Sequence, residues 1–430
     1  MGARPPVVTD LQYDGGMKYA PMLALVLAAS CARGSAVAPL PQTAWASIAR
    51  AHDTCTVKEQ TLPNLGTAWD LVRISNAADY SSSSSSSSSS YEAWAYAVGE
   101  YDSSRYALVL NWDGAAWKQS PVVNPSPKIN AFFGVDVVSK NDVWAVGQYL
   151  TSSNVLVPLI EHFDGHHWGI SPNPSVLPYG GYLSGVNALR ANDVWADGAL
   201  VTSSKGTFVP LLEHWDGNKW IKIDDVFHPK PHHDYLLTGA PILDSGLKDL
   251  QIAPIIFDVK KEQLAGLVFR PSETSPWTIH PMVLPKGAIN TNVNGISPWG
   301  GTVITVGSYG VLGQSLPQPM AQIWNGTSFD VQTLPKVGVA ASLEGVAYGK
   351  AHAFAYGSYY PKFTSVAEYA LGFAYDGKEW SNIKLPKISG AFASAVPLPG
   401  KSGFWVAGNR FDIKTSTSEG FIDALKCPVF

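Results

Sequence analysis

The sequence predicts an all-β protein that folds as a seven-bladed β-propeller of four-stranded antiparallel blades. Three observations favour this fold. A glycine-ended motif recurs about every 50 residues, an Asp-Gly or Asn-Gly pair follows most copies at a fixed distance, and the last copy lacks its final strand. A repeat of this length, with four short strands in each unit, is typical of propeller blades.

The N-terminal residues 1–38 are predicted to be an export leader. Met17 precedes a short apolar run, "MLALVLAA" at 22–29, which is too short to span a membrane but suits the apolar region of a signal peptide. Met17 would then be the true start of the protein. Residues 39–54 are interpreted as a linker, and residues 55–430 as the propeller.

Two modes of release from this leader stay open. "AASC" at 28–31 resembles a bacterial lipobox, which would make Cys31 a lipidated first residue. "AVA" at 36–38 resembles an ordinary cleavage site. A misassigned N-terminus is the alternative to both. We therefore expect an exported protein, either extracellular or attached to the cell surface, with no other contact with the membrane.

The repeated motif ends in a glycine after an apolar run. "KNDVWAVG" at 140–147 and "ANDVWADG" at 191–198 are two of its copies. The aligned glycines are Gly99, Gly147, Gly198, Gly307, Gly357 and Gly408. The one long gap, between positions 198 and 307, has room for a further copy near "KDLQIAP" at 248–254. The motif is therefore interpreted as a structural repeat in seven units, and not as part of a catalytic site.

A second landmark follows the glycine in each unit and predicts a hairpin. It reads "NWDGAAW" at 111–117, "HFDGHHW" at 162–168, "HWDGNKW" at 214–220, "IWNGTSF" at 323–329 and "AYDGKEW" at 374–380, with "FRPSETSPW" at 269–277 as a degenerate copy. Asp-Gly and Asn-Gly between apolar runs favour a two-residue turn in which both residues take positive φ. The flanking aromatic residues are expected to pair across this hairpin.

Each unit divides into four strands, which the second unit shows most clearly. Its predicted strands cover about 132–139, 142–150, 157–164 and 167–171. The ten serines at 81–90 fall in the first turn of unit one. They are expected to be a disordered insertion without functional weight, because loop closure entropy grows slowly with length.

The two ends of the repeat region are expected to complete one blade together. The seventh unit has only three predicted strands, about 392–398, 403–410 and 418–426, whereas "CTVKEQTLP" at 55–63 resembles a fourth strand. The N-terminal strand would then join the C-terminal blade and close the ring. Cys55 and Cys427 would face each other there and form a disulfide in an oxidising compartment. Two buried free thiols are the alternative.

The unit "GV-x5-NDVWAVG…EHWDG-x2-W" resembles the repeats of bacterial exported proteins described as kelch-like or galactose-oxidase-like propellers. The resemblance covers nearly all of residues 55–430 and implies a propeller fold. It implies little about activity, because propellers include enzymes, lectins and scaffolds. The sequence departs from true kelch units, which carry a Gly-Gly doublet, and lacks the Cys-Tyr pair and copper ligands of galactose oxidase.

Composition excludes one class of partner. Lys and Arg total 30 against 34 Asp and Glu, and no basic run could track a phosphate backbone. Nucleic acid is therefore not an expected ligand. We expect a monomer that binds a glycan or a protein and has no cofactor.

The segment joining units three and four, "DDVFHPKPHHDY" at 224–235, is the first candidate site. It places His228, His232, His233 and Asp234 within seven residues. Imidazoles and a carboxylate are ligands of zinc and other divalent metals, although this spacing matches no standard zinc motif. General polar contact with a ligand and an ordinary solvated loop are the alternatives.

The innermost strands supply the second candidate site. The residue after a small-Val or similar pair is Arg73, Asp136 and Asn187 in the first three units. If these side chains face the channel, they form a convergent polar set of the kind that ligand sites use. A water-filled channel with balanced charges is the alternative. The candidates for stacking on sugar rings are loop tyrosines of the same face, namely Tyr101, Tyr106, Tyr179, Tyr182, Tyr359 and Tyr360. Scattered surface tyrosines are the alternative.

Three functions follow from these observations. The first, which we favour, is a non-catalytic binding or scaffold propeller that recognises a glycan or protein through its loop face. The second is a carbohydrate-active lyase or glycosidase, which needs paired carboxylates or an equivalent pair at the channel mouth. The third is a metal enzyme similar to galactose oxidase. Glu161, His162, Glu213 and His214, which precede Asp-Gly turns, are expected to be structural.

Overall fold

The computed structural model describes residues 54–65, 69–76, 95–101, 105–174, 178–204, 208–223, 235–237, 251–259, 262–270, 275–299, 302–314, 316–349, 352–363, 365, 368–398, 402–412, 417–428 and 430. The predicted leader with Cys31, the serine run and the segment 224–234 lie outside them. Among the described residues, no helix is long and apolar enough to cross a membrane.

The regular elements of the described ranges are 28 β-strands, which follow the predicted units. The first two units comprise β1 (Thr56–Glu59), β2 (Trp69–Asn76), β3 (Ala95–Tyr101), β4 (Tyr106–Trp112), β5 (Trp117–Gln119), β6 (Asn130–Ser139), β7 (Asp142–Leu150), β8 (Leu156–Phe163) and β9 (Trp168–Ile170). The next two comprise β10 (Gly181–Arg190), β11 (Asp193–Val201), β12 (Phe208–Trp215), β13 (Trp220–Lys222), β14 (Tyr235–Leu237), β15 (Gln251–Val259), β16 (Glu262–Arg270) and β17 (Thr278–Pro281).

The remaining strands continue the same pattern. They are β18 (Ala288–Trp299), β19 (Thr302–Val311), β20 (Gln318–Trp324), β21 (Phe329–Val331), β22 (Ala340–Tyr348), β23 (Ala353–Tyr360), β24 (Tyr369–Tyr375), β25 (Trp380–Asn382), β26 (Ala391–Pro397), β27 (Phe404–Asp412) and β28 (Thr417–Lys426). The four strands of the second unit and the hidden fourth unit were therefore predicted correctly.

The strands form antiparallel meanders, which are the blades of a β-propeller. Five sheets have four strands each, in the orders β6 to β9, β10 to β13, β14 to β17, β18 to β21 and β22 to β25. The first and last units were expected to be separate sheets. They instead join in one eight-stranded sheet, because β2 and β28 share one parallel pair, Trp69 with Glu419.

The core lies between neighbouring sheets, where the tryptophan after each Asp-Gly turn packs on the preceding sheet. Trp168 meets Tyr96 edge-on at 6.3 Å, and Trp220 meets Trp144 edge-on at 5.4 Å. Two of these indoles also bond to the preceding sheet, since Trp168 Nε1 donates to Ser120 Oγ at 3.0 Å and Trp220 Nε1 donates to Ser171 Oγ at 3.1 Å. The repeated tryptophan therefore joins one blade to the next, through burial of large aromatic area.

The glycine that ends the repeated motif occupies a β-bulge where no side chain fits. A Cβ on Gly147 would overlap the carbonyl oxygen of Ala131 and lie 2.8 Å from the Cα of Phe132. The neighbouring strand slips by one residue at this point, between Phe132 and Gly134. The same overlap with a carbonyl oxygen occurs at Gly99, Gly198, Gly307, Gly357 and Gly408. The motif is thus a structural repeat, as predicted.

The Asp-Gly turns differ from the predicted type. The loop 113–116 separates the paired Trp112 and Trp117, and among its residues only Gly114 has positive φ, at 98°. Asp113 Oδ1 instead accepts hydrogen bonds from the amides of Ala115 and Ala116, both at 2.9 Å. The turn is therefore four residues long and depends on a side-chain acceptor at its first position, so the two-residue prediction was wrong.

The N-terminal strand pairs with the C-terminal one, as predicted. β1 runs antiparallel to β28, with Thr56 opposite Lys426 and Glu59 opposite Asp423. Cys55 and Cys427 form a disulfide with an S–S distance of 2.08 Å, and both residues are buried. Arg410 adds ion pairs to Glu59 at 2.9 Å and to Asp423 at 2.7 Å. β1 therefore supplies the fourth strand of the last unit.

Candidate functional site

Asp136, one of the predicted site residues, joins the inner strands of three sheets. Its Oδ1 accepts a hydrogen bond from Ser75 Oγ, and its Oδ2 accepts one from the amide of Ala188, both at 2.7 Å. The side chain is 2% exposed. Asp136 therefore links β6 to β2 and β10.

The register places Ser75, and not Arg73, at the position that Asp136 occupies in the next sheet. Leu71 pairs with Gly99 as Phe132 pairs with Gly147, and Ser75 and Asp136 each lie four residues further on. The alignment of Arg73 with Asp136 was therefore wrong by two residues. It failed because unit one has no small residue before its valine.

Arg73 and Asn187 are both buried, and the Oδ1 of Asn187 has no hydrogen-bond partner among the described residues. Ligand binding by Arg73, Asp136 and Asn187 stays a prediction. The other predicted set, His228, His232, His233 and Asp234, lies outside the described residues. The described part of the chain contains no group of three or more His, Cys, Asp or Glu side chains arranged to hold a metal ion.

Glu161 and its counterparts hold the segments that connect one sheet to the next. Glu161 Oε2 accepts a hydrogen bond from the amide of Val123 at 3.0 Å, on the segment between β5 and β6. Gln322, at the matching position of β20, accepts from the amide of Val283 at 3.1 Å and donates to its carbonyl at 2.7 Å. Glu213 accepts from Asn173 at 2.8 Å. The structural role predicted for the glutamates fits this geometry.

The histidines of the same motif are also structural. His162 Nε2 lies 2.9 Å from Asp142 Oδ1, and its ring stacks on Trp144 at 4.0 Å. His214 repeats this arrangement with Asp193 at 3.0 Å and Trp195 at 4.1 Å. Because these side chains contact neighbouring strands of their own sheet, the repeated "NDVW" and "EH" residues build the blades.

Replacing Glu161 with glutamine is expected to stabilise the protein above neutral pH. Burial raises the pKa of Glu161 to about 7, and its Oε1 has no hydrogen-bond partner among the described residues. The folded state thus binds a proton more tightly than the unfolded state, so stability falls as pH rises from about 4.5 to about 7, by up to about 3 kcal/mol. Gln322 shows that an amide satisfies this position.

Urea unfolding at pH 5 and pH 8 would measure this effect. Glu161→Gln should match the wild type at pH 5 and exceed it by about 1 to 3 kcal/mol at pH 8. If Glu161→Gln and the wild type were equally stable at both pH values, the raised pKa of Glu161 would be contradicted. Gln322→Glu offers the reverse change at the matching site and should lose stability only at the higher pH.

A cluster of non-repeated polar side chains lies at the start of β22, on the face that carries the loop between β23 and β24. Ser342 and Ser358 face each other across β22 and β23. The Ser342 hydroxyl hydrogen-bonds Glu344, and Ser358 Oγ donates to Glu368 Oε2 at 2.7 Å. The charge of Glu368 acts on Glu344, so the two carboxyl groups belong to one electrostatic cluster, which is called the carboxylate pair below.

Asn294 of the neighbouring sheet completes this cluster. Its Nδ2 donates to the carbonyl of Leu343 at 2.9 Å and to Ser342 Oγ at 3.4 Å. The side chain is 6% exposed, and its Oδ1 has no hydrogen-bond partner among the described residues. A buried acceptor without a partner is rare in folded proteins, which makes this amide the unusual feature of the cluster.

The two carboxyl groups of the carboxylate pair differ in protonation. Burial raises the pKa of Glu344 to about 7, the negative charge of Glu368 adds to this rise, and the Ser342 hydrogen bond opposes it. Glu344 is therefore largely protonated in mildly acidic solution. Burial, followed by the Glu368 charge, also raises the pKa of Tyr360, whose side chain follows Ser358 on the same side of β23. The cluster thus offers both donors and acceptors.

Glu344 and Asn294 are both the extra residue of a β-bulge. Glu344 lies between Leu343 and Gly345, where the register shifts, and Asn294 lies in the same place in β18. The bulge residues of other units are Val72, Phe133, Ser184 and Ala393. Bulges redirect side chains and are frequent beside functional sites. Asn294 and Glu344 each precede a glycine, Gly295 and Gly345. Comparing the bulge residues of the units by sequence would have revealed this polar pair, whereas the comparison that gave Asp136 did not.

Comparisons with solved structures find matches of low identity. One solved structure, YCF48 bound to a D1 peptide, is 13% identical with a TM-score of 0.49, over 87% of this chain and 97% of that chain. Another, an ulvan lyase bound to a glucuronic acid and rhamnose-3-sulfate oligosaccharide, is 11% identical with a TM-score of 0.49, over 76% of this chain and 89% of that chain. No family model and no curated protein matches the chain. The kelch-like resemblance therefore stays a prediction.

Proposed function

We propose that this protein is an exported binding propeller that recognises a carbohydrate at the Glu344 and Glu368 carboxylate pair. The observation that carries the proposal is the buried Oδ1 of Asn294, which has no hydrogen-bond partner among the described residues and belongs to the amide that binds Ser342. Sugar hydroxyls can each donate and accept, so they match a site in which acceptors dominate and Glu344 keeps a proton. An anionic ligand would be repelled by the negative charge of Glu368, so a neutral sugar fits better.

One aromatic side chain of the cluster supports a sugar ligand. Tyr360 is half-buried at the end of β23 on the same side as Ser358, whereas Tyr359 and Tyr369, whose rings are 6.1 Å apart, lie on the opposite side of the sheet. Tyrosine presents an apolar face and a polar edge, which suits it to stack on a sugar ring and bond its hydroxyls. Tyr359 and Tyr360 are the loop tyrosines that the sequence placed among stacking candidates.

The architecture that we propose for this function is a ring of seven blades. In this proposal, the eight-stranded sheet is two blades in contact, and β1 closes the ring by completing the last of them. Two features support it: β26 packs against both β22 and β2, and the disulfide joins β1 to the end of β28. The disulfide also supports export, with Cys31 as a proposed lipid anchor. The bound form is proposed to be a monomer.

A glycan array would test the proposal. The propeller, residues 54–430, should bind a restricted set of neutral oligosaccharides at pH 6. The double substitution Glu344→Gln and Glu368→Gln should weaken this binding at least tenfold, because it removes the carboxylate charge without a change of shape. Glu379→Gln, on an exposed turn of the same sheet, is the matched control and should bind as the wild type does. Unchanged binding by the double variant would refute the site.

A second candidate function, a carbohydrate-active enzyme, is favoured by one observation. Glu344, with a pKa raised to about 7, lies beside Glu368, and a protonated carboxyl next to an ionised one is the pairing that acid–base cleavage of glycosides uses. Array ligands incubated with the wild type would then yield shorter products. Glu344→Gln would bind the same ligands without cleaving them. If the ligands stay intact after long incubation, the enzyme function is ruled out and only the binding function remains.

A further inference from the structure

A groove of about 620 Å³ runs along the same loop face, beside the β18 to β21 sheet. Aliphatic and proline side chains form much of its wall, among them Pro285, Leu334, Pro335 and Val337. Its residue Val339 leads directly into β22, and the Val339 amide donates to the carbonyl of Tyr360 at 2.8 Å. The groove therefore adjoins the carboxylate pair but consists of different residues.

Exposed apolar side chains surround the groove. Phe363, which lines it, is 74% exposed, and Leu312, next to the lining residue Val311, is 80% exposed. Of the large hydrophobic residues exposed in the described chain, six lie in this region: Val283, Leu284, Ile289, Leu312, Val331 and Phe363. Such a concentration of apolar surface marks a site of association with another molecule.

The rim of the groove is positively charged. Lys336 lines the groove, Lys286 follows the lining residue Pro285, and Lys362 precedes the lining residue Phe363. The acidic residues nearest in sequence to any of these lysines are Asp330 and Glu368. Asp330 accepts a hydrogen bond from Gln332 Nε2 at 3.0 Å, and Glu368 accepts one from Ser358 Oγ at 2.7 Å. Three exposed lysines around an apolar channel complement a ligand that combines apolar side chains with negative charge.

We propose that this groove docks an extended segment of a partner protein in which apolar side chains alternate with Asp or Glu. The concave shape favours a peptide, because its walls can surround two or three side chains. A membrane surface would instead require apolar side chains on a convex face. The proposal is independent of carbohydrate binding, since neither Glu344 nor Glu368 lines the groove.

Selection from a phage library of random 12-residue peptides would test this docking site. Peptides enriched on the wild type should combine large apolar residues with Asp or Glu. Phe363→Ser should weaken their binding at least tenfold, because the exposed ring supplies contact area. Lys336→Glu should weaken acidic peptides but not matched peptides with Asn and Gln in place of Asp and Glu. Both positions are exposed, so folding should be unaffected.

Two controls make the result decisive. Tyr179→Ser removes an exposed aromatic residue, 48% exposed, that lies outside the groove, and it should leave peptide binding unchanged. Enrichment of basic peptides, or binding that survives both Phe363→Ser and Lys336→Glu, would overturn the proposal. A membrane is the competing occupant. If no peptide is enriched, and phosphatidylglycerol vesicles sediment with the wild type but not with Phe363→Ser, the groove binds a membrane and the proposal is overturned.

Discussion

Alanine in place of Gly147 is expected to destabilise the propeller by about 3 kcal/mol or more, since overpacking against backbone cannot be relieved by a side-chain rotation. The new Cβ would overlap the carbonyl oxygen of Ala131, on the strand that carries the β-bulge. Removing the overlap requires the bulge itself to shift, which would also displace Asp136 further along the same strand. Urea unfolding followed by tryptophan fluorescence would measure the loss.

Gly169, in the same sheet, is the matched control for this substitution. A Cβ there meets no atom within 4 Å, and the residue lies in β9 with an ordinary backbone conformation. Gly169→Ala should therefore be neutral or stabilise the protein by about 0.5 kcal/mol, because it restricts the unfolded chain. Equal losses from the two substitutions would show that the glycine of the motif has no special packing role.

Removing the disulfide should also lower the free energy of unfolding by several kcal/mol, in this case by releasing a restraint on the unfolded chain. Cys55 and Cys427 are 372 residues apart in sequence, so their link restricts most of the unfolded chain. The double substitution Cys55→Ser and Cys427→Ser is expected to lower the free energy of unfolding by about 3 to 5 kcal/mol. β1 is short and mostly exposed, so it keeps few other contacts that would hold it on β28.

Reductant provides the control for the disulfide experiment. Treating the wild type with dithiothreitol should reproduce the loss of stability, whereas the double variant should be insensitive to it. A difference of less than about 1 kcal/mol between wild type and variant would mean that β1 and β28 hold together without the covalent link, and that the chain-entropy account is too large here.

The repeat made most of the fold predictable. The spacing of the glycines indicated the four-stranded units, including the unit hidden near residue 251, and the incomplete last unit indicated the pairing of Cys55 with Cys427. The turn type was mispredicted, because Asp113 acts as a side-chain acceptor and does not itself take positive φ. Sequence patterns indicate where a turn lies more reliably than how its backbone is arranged.

The site was less predictable, and the β-bulge is the physical reason. One inserted residue reverses the side-chain alternation, so the residues that share a face cannot be read from spacing alone. The sequence therefore singled out Asp136, which hydrogen-bonds Ser75 in the structure, and gave no weight to Glu344, the bulge residue on which the proposed function depends. Glu368 lies in a loop and shares no repeat position, so only the fold brings it to Ser358.

We propose that function resides in the non-repeated carboxylate pair and not in the repeated motif. A crystal structure of the propeller soaked with an oligosaccharide selected on the glycan array would test this proposal. We expect ligand density within hydrogen-bond distance of Glu344 and Glu368, with the Tyr360 ring against a sugar face. Ligand density at Arg73 and Asn187, or at the histidine-rich segment 224–235, with an empty carboxylate pair, would contradict it.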